Sequence, residues 1–229
     1  MKTIVYTANY GNMDAVRPPL ILNKDVEYRY YTDQVIQSNT WDVHHMKVHH
    51  DPHYASRIIK MLPETIMPEA EYWIYHDANR SLLVDPEHLV DEFLVRTYSD
   101  IALFNHPHRQ SIVQEAEAVV GKMVSTETSL RLMATYRWAG FDVSHGLYDG
   151  AFLIRKNTEK VRAFNRMWWS HVALGCHRDQ MSLPFCLWSM GMNVTIIPGS
   201  YIENDYLDFQ SHIGEYFNTG GGEPCFTPS

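Results

Sequence analysis

Cysteine is scarce in this chain: Cys176, Cys186 and Cys225 are the only three in 229 residues, and none is spaced as CxxC or as a Cys/His finger. Neither a disulfide framework nor a structural zinc site is therefore implied, and a reducing compartment is expected. Long apolar runs are missing too. The stretch from Met1 to Tyr10 is too short for a signal peptide, and nothing approaches the ~18 apolar residues of a membrane span, so the chain reads as soluble and cytoplasmic. Basic charge is in deficit, with 19 Lys+Arg against 27 Asp+Glu and a formal net charge of −8. Binding nucleic acid by bulk charge is disfavoured, because neutralising phosphates calls for a basic face, although a local basic groove stays compatible. No repeat or low-complexity linker interrupts the sequence.

What is present is apolar and aromatic. Hydrophobic residues make up 45% and aromatics 13%, enough to bury a core and to exclude a disordered tail or a coiled coil. Strand-like and helix-like stretches alternate from the start, the pattern of an α/β domain with a mostly parallel sheet. Strands are expected over 2–7, 26–31, 71–75, 101–104, 150–155 and 193–197. Asp51 and Pro52 open a helix that Pro63 stops after Leu62, and Asp85 caps a second over 86–98. Residues 111–138 read as helical in two pieces broken near Ser125. Asn157 opens a helix over 158–174, and another runs over 179–190. From Gly199 the chain becomes loop-rich and is expected to wrap the domain or to be partly mobile.

Several constellations carry chemistry. Asp77-Ala78-Asn79 follows a buried strand, where α/β proteins place their sites, and its two oxygen-bearing side chains suit a hard cation such as Mg²⁺ or Mn²⁺. A simple Asx-turn is the alternative. Asp179, in Arg178-Asp179-Gln180, is either a helix N-cap or a carboxylate facing a cleft. His44, His45, His49, His50 and His53 would suit zinc if His45 and His49 shared a helix face, and otherwise form a solvated loop. His106-Pro107-His108-Arg109, with Glu115 and Glu117 beyond, would grip a polar acceptor or stand as a solvated strand-end loop. Tyr148-Asp149-Gly150 steps into a strand through a residue that lets a ligand approach the backbone. Ser211-His212-Ile213-Gly214 offers one late imidazole.

Four ordered segments within residues 50 to 190 resemble a known family. They are Ser56 to Pro63; Tyr72 to Asn79 with Val84-Asp85-Pro86; Asp100 to Arg109 with Glu115 and Ala116; and Gly146 to Arg155 with Trp169 and Arg178 to Ser182. Together they resemble the glycosyltransferase-like domains of plant mucilage- and pollen-turgor-related proteins and their bacterial and viral relatives. The resemblance implies a GT-A, Rossmann-like fold in one domain, with a nucleotide half over about 1–105, an acceptor and catalytic half over about 106–200 and a tail over 201–229. It implies a hexosyltransferase drawing on a nucleotide-diphosphate sugar, with UDP favoured, for a glycan or other hydroxyl acceptor. Thr7, Ala8, Asn9 and Tyr10 would border the nucleotide, with Arg57 and Lys60 near base or phosphates. Asp77, Ala78 and Asn79 would stand for the D-x-D motif, and Asp77, Asn79 and His212 would hold Mn²⁺ or Mg²⁺. Asn79 departs from that motif by replacing its second aspartate. Asp149 and Gly150 would line the donor sugar, Asp179 would sit beside the anomeric carbon as catalytic carboxylate, and His106, His108 and Arg109 would meet the acceptor. Two other classes stay in view: a metal-dependent hydrolase built on the histidine stretch, and a non-catalytic nucleotide-sugar-binding module.

Overall fold

A strand whose residues are buried on both faces reads as a continuous apolar run, and such strands belong to sheets covered by helices on both sides. Thr3–Asn9 is of this kind, with every residue buried. In the computed structural model of the protein, which describes residues 1–209 apart from 48, 50, 145 and 177, this segment forms β1 near the centre of a seven-stranded sheet. The others are β2 (Glu27–Thr32), β3 (Asp42–His45), β4 (Tyr72–His76), β6 (Ile101–Asn105), β7 (Tyr148–Lys156) and β8 (Val194–Ile196), in the order β3-β2-β1-β4-β7-β6-β8. β1 pairs in parallel with both β2 and β4, as do β2 with β3 and β6 with β8. β7 runs antiparallel between β4 and β6. The small strands β5 (Arg80–Leu82) and β9 (Leu207–Phe209) pair antiparallel in a separate ribbon. The fold is a mixed α/β domain with a mostly parallel central sheet, compatible with the Rossmann-like GT-A architecture.

Helices α1 (Pro52–Met61), α4 (Ile112–Val119), α6 (Glu159–Ala173) and α7 (Asp179–Ser189) bury Ile59, Ala116, Phe164, Trp168 and Met181 against one face of the sheet. The other face packs Val5, Ile74, Ala102 and Phe152 against Leu89, Phe93 and Leu94. Those residues come from α3 (Pro86–Val90) and the π-helical turn 91–95 that continues it, so the expected single helix over 86–98 changes its winding midway. Two further helices complete the set: the short α2 (Pro63–Ile66), directly after α1, and the longer α5 (Thr126–Trp138). The caps follow the side-chain chemistry. The Asp51 carboxylate accepts from the His53 N–H at 2.9 Å, and Asp85 does the same for Glu87 at 2.9 Å. Ser125 caps α5 at the expected break, whereas α6 is capped by Thr158 rather than Asn157.

Three features differ from the sequence expectation. Residues 42–45 form a strand, because the His44 ring stacks on Tyr31 at 4.9 Å and the backbone continues the parallel ladder of β2. The polar composition of that edge strand had the look of a loop. The strand beginning near Gly150 is longer at both ends. Residues 80–82 and 207–209, where the sequence predicts no strand, pair as β5 and β9.

Phe152 lies in the antiparallel strand and is fully buried. Its replacement by alanine should lower unfolding free energy by about 3–5 kcal/mol in urea titrations.

Candidate active site

In open α/β sheets ligands bind beyond the carboxyl ends of the strands, where the chain leaves neighbouring strands in opposite directions. Here that point lies between β1 and β4, since β2 sits on one side of β1 and β4 on the other. A cleft of about 390 Å³ opens there. It is lined by Ala8, Asn9 and Tyr10 after β1, by Arg57 and Lys60 of α1, by Asp77, Ala78, Asn79 and Arg80 after β4, by Asp149 of β7, and by Arg178, Asp179 and Gln180 at the start of α7.

At its base Lys60 Nζ donates to Asp179 Oδ2 at 2.6 Å, and both side chains are more than nine-tenths buried. Lys60 also lies over the rings of Tyr75 and Trp168, at 5.5 and 5.7 Å from their centroids. Burial alone would raise the Asp179 carboxyl, but Lys60, Arg57 and Arg178 outweigh it and hold the group well below the usual carboxylate range. Asp179 is not a helix cap: the N-cap position belongs to Arg178, and its side chain makes no capping bond. Trp168 Nε1–H instead donates to the Asp179 carbonyl at 3.0 Å.

The second carboxylate is placed differently. Asp149 accepts from the Ala151 N–H and from Gln180 Nε2, each at 2.7 Å, and both are neutral donors. Burial pushes it up to about 6; the Ala151 bond pulls the other way and the nearby Asp77 carboxylate adds to the rise. Asp77 itself accepts from the Tyr75 hydroxyl at 2.8 Å, and its backbone carbonyl lies 3.0 Å from His76 Nδ1. Burial pulls His76 down to about 4, so the ring is neutral near pH 7.

Gly150 lies under the ion pair. A Cβ there would come within 2.8 Å of Lys60 Nζ and 3.4 Å of Asp179 Oδ2, so the glycine makes room for Lys60 and Asp179. Gly150 and Thr7 do not line the cleft; Thr7 is buried within β1. His106, His108 and Arg109 do not line it either. Arg109 turns toward Glu115, to which its Nε–H donates. The histidines of 44–53 are dispersed: His44 contacts Asp42 at 3.0 Å, His45 contacts the Asp33 carbonyl at 2.9 Å, and His53 lines the cleft. His45 and His49 therefore share no helix face. Among the described residues no group of three His, Cys, Asp or Glu is placed to hold a metal; His212 and His50 lie outside them.

A model of the TOD1/MUCI70 glycosyltransferase-like domain matches residues 31–204. The chain belongs to that family. The matched region holds Arg57, Lys60, Asp77, Asn79, Asp149 and Asp179, while the β1 wall of the cleft precedes it. A probable hexosyltransferase, MUCI70 of Arabidopsis thaliana, is 25% identical over 148 residues, which cover 59% of this chain and 26% of that protein. The chain thus spans about a quarter of this relative's length. Among the described residues of this family member, no helix is long and apolar enough to cross a membrane.

Sequence inspection missed Arg80, Tyr201 and Phe209. Arg80 is buried, donates from Nη1 to the Tyr201 carbonyl at 2.5 Å, and lies 4.1 and 5.0 Å from the ring centroids of Phe209 and Tyr201. Its only sequence signal is a cation directly after Asp77-Ala78-Asn79; the Phe209 ring arrives through the β5–β9 pairing, which leaves no local trace.

Two outcomes are expected. Gly150→Ala should displace Lys60 and raise the Asp179 carboxyl toward its ordinary value, read by NMR titration. For Asp149 the folded-state value lies above the ordinary value near 3.9. Its stabilising contribution is therefore full below about 4 and lost as pH rises through about 6. Asp149→Asn should flatten that part of the stability profile in urea unfolding at stepped pH.

Proposed function

We propose that this family member moves a sugar, of hexose type, from a nucleotide-diphosphate donor to a hydroxyl of a glycan or other acceptor, with a UDP-sugar as the favoured donor. The observation that carries the proposal is Asp179: a buried carboxylate kept ionised by three cations, at the sheet's switch point, in a chain of family glycosyltransferase-like character. Breaking a sugar–phosphate bond leaves negative charge on the departing diphosphate and positive charge at the anomeric carbon. Arg57 and Lys60 answer the first. Asp179 answers the second, and its depressed pKa suits a charge-stabilising carboxylate better than a proton acceptor, whose efficiency peaks near the working pH.

The donor set of Asp77 and Asn79 fits a divalent metal in chemical type: one carboxylate and one amide, both hard oxygen donors lining the cleft. Mg²⁺ characteristically takes one or two protein carboxylates and completes its shell with water and substrate phosphates. Asp77 and Asn79 would hold Mn²⁺ or Mg²⁺, which when bound supplies Lewis-acid charge to the diphosphate. Independently of it, Tyr75 and His76 orient Asp77, through its carboxylate and its carbonyl respectively.

Calorimetric titration with UDP, and GDP as control, with and without Mn²⁺ tests the donor site. Metal-enhanced UDP binding is expected; no binding of either nucleotide overturns the proposal. Asp179→Asn should lower transfer by roughly 10²-fold or more while leaving UDP affinity within a few-fold.

A further inference from the structure

The loop after β6 and helix α4 build a second charged cluster beside the cleft. Glu115 is fully buried and accepts from two guanidinium groups: Arg109 Nε–H on Oε2, and Arg178 Nε–H on Oε1 at 2.6 Å. His106 completes it. Its Nδ1 lies 3.2 and 3.1 Å from the backbone nitrogens of His108 and Arg109, and its Nε2 lies 3.0 Å from Arg109 Nη2. Burial first, and the Arg109 charge second, pull His106 down to about 4, so it adds no charge near neutral pH. Two arginines therefore share one carboxylate, so these four side chains carry a net positive charge, which on the Arg178 side meets the Asp179 carboxylate.

That charge is exposed to the cleft at one place only. Arg178 lines the cleft, whereas Arg109, His106 and Glu115 do not. Arg178 acts electrostatically on both Asp179 and Asp149. Its Nε–H is committed to Glu115, and no acceptor among the described residues takes its terminal amino groups. A guanidinium fixed along one edge and open along the other is suited to forked recognition of phosphate oxygens.

We infer that His106, Arg109 and Glu115 form a brace that holds Arg178 at the cleft as an anion-binding group for the diphosphate half of the donor. Arg178 is the binding residue; Glu115 and Arg109 are positioning residues. The inference rests on the transferase reading above and assigns the role of one part of that site.

UDP affinity by calorimetry separates the possibilities, with donor-sugar hydrolysis without acceptor as a second readout. Wild-type protein is the reference: if it does not bind UDP, the transferase reading itself falls. With wild-type binding established, Arg178→Lys and Glu115→Gln should each weaken UDP binding about tenfold, and Arg109→Lys should largely rescue what Arg109→Ala loses. The double variant Glu115→Gln with Arg178→Ala should bind no more weakly than Arg178→Ala alone, a non-additivity that a general loss of packing would not produce. If Glu115→Gln does not fold, as judged by near-UV circular dichroism, the Arg178 and Arg109 variants decide. Unchanged UDP affinity in Arg178→Lys and Arg109→Ala, or additive losses in the double variant, overturns the brace.

Discussion

The buried pair of Lys60 and Asp179 constrains everything around it. Two charges taken out of water cost several kcal/mol each unless the geometry is close and the remaining polar atoms are satisfied. The surroundings meet that requirement from four directions. Tyr75 and Trp168 place ring faces near the ammonium, and Gly150 clears the space it needs. The Asp179 backbone carbonyl accepts from Trp168 and from the Ser182 hydroxyl. The last turn of α1 is pinned because the Lys60 carbonyl accepts from Tyr6 at 2.9 Å and from Arg155 at 2.6 Å. Strands β1, β4 and β7 and helices α1, α6 and α7 thus all converge on one ion pair.

The two cleft aspartates show how environment divides labour between identical side chains. Asp179 faces cations and is ionised throughout the physiological range. At Asp149 burial dominates, its hydrogen-bond donors are neutral and the Asp77 carboxylate opposes the pull of Lys60 and Arg178, so it titrates near the range in which proteins work. Pairs of acids driven apart in this way are a mark of sites that handle charge and protons separately.

Much of the fold was legible because local chemistry and tertiary need agree. Pro52 and Pro63 bracket α1, Asp85 caps α3, and the apolar run of β1 leaves little choice but a buried strand. The edge strand β3 was not legible, since Asp42, His44 and His45 are polar and their pairing with β2 is decided by neighbours. Asp179 and Asp77 could be named from their motifs. The partnership of Glu115 with Arg178 spans 63 positions, and that of Arg80 with Phe209 spans a strand pairing made late in the chain. Contacts of that kind are encoded in the packing of whole elements and leave no spacing to read.

The polarity of the sheet also governs how the chain can be handled. β1 begins at Thr3, at the end of the sheet remote from the cleft, whereas the last described strand finishes at Phe209, whose ring lines the cleft wall. A purification tag or fluorescent partner joined ahead of Met1 therefore emerges on the far side. The last described strand is part of the cleft wall, so ligand-binding work calls for fusions on the β1 side of the sheet.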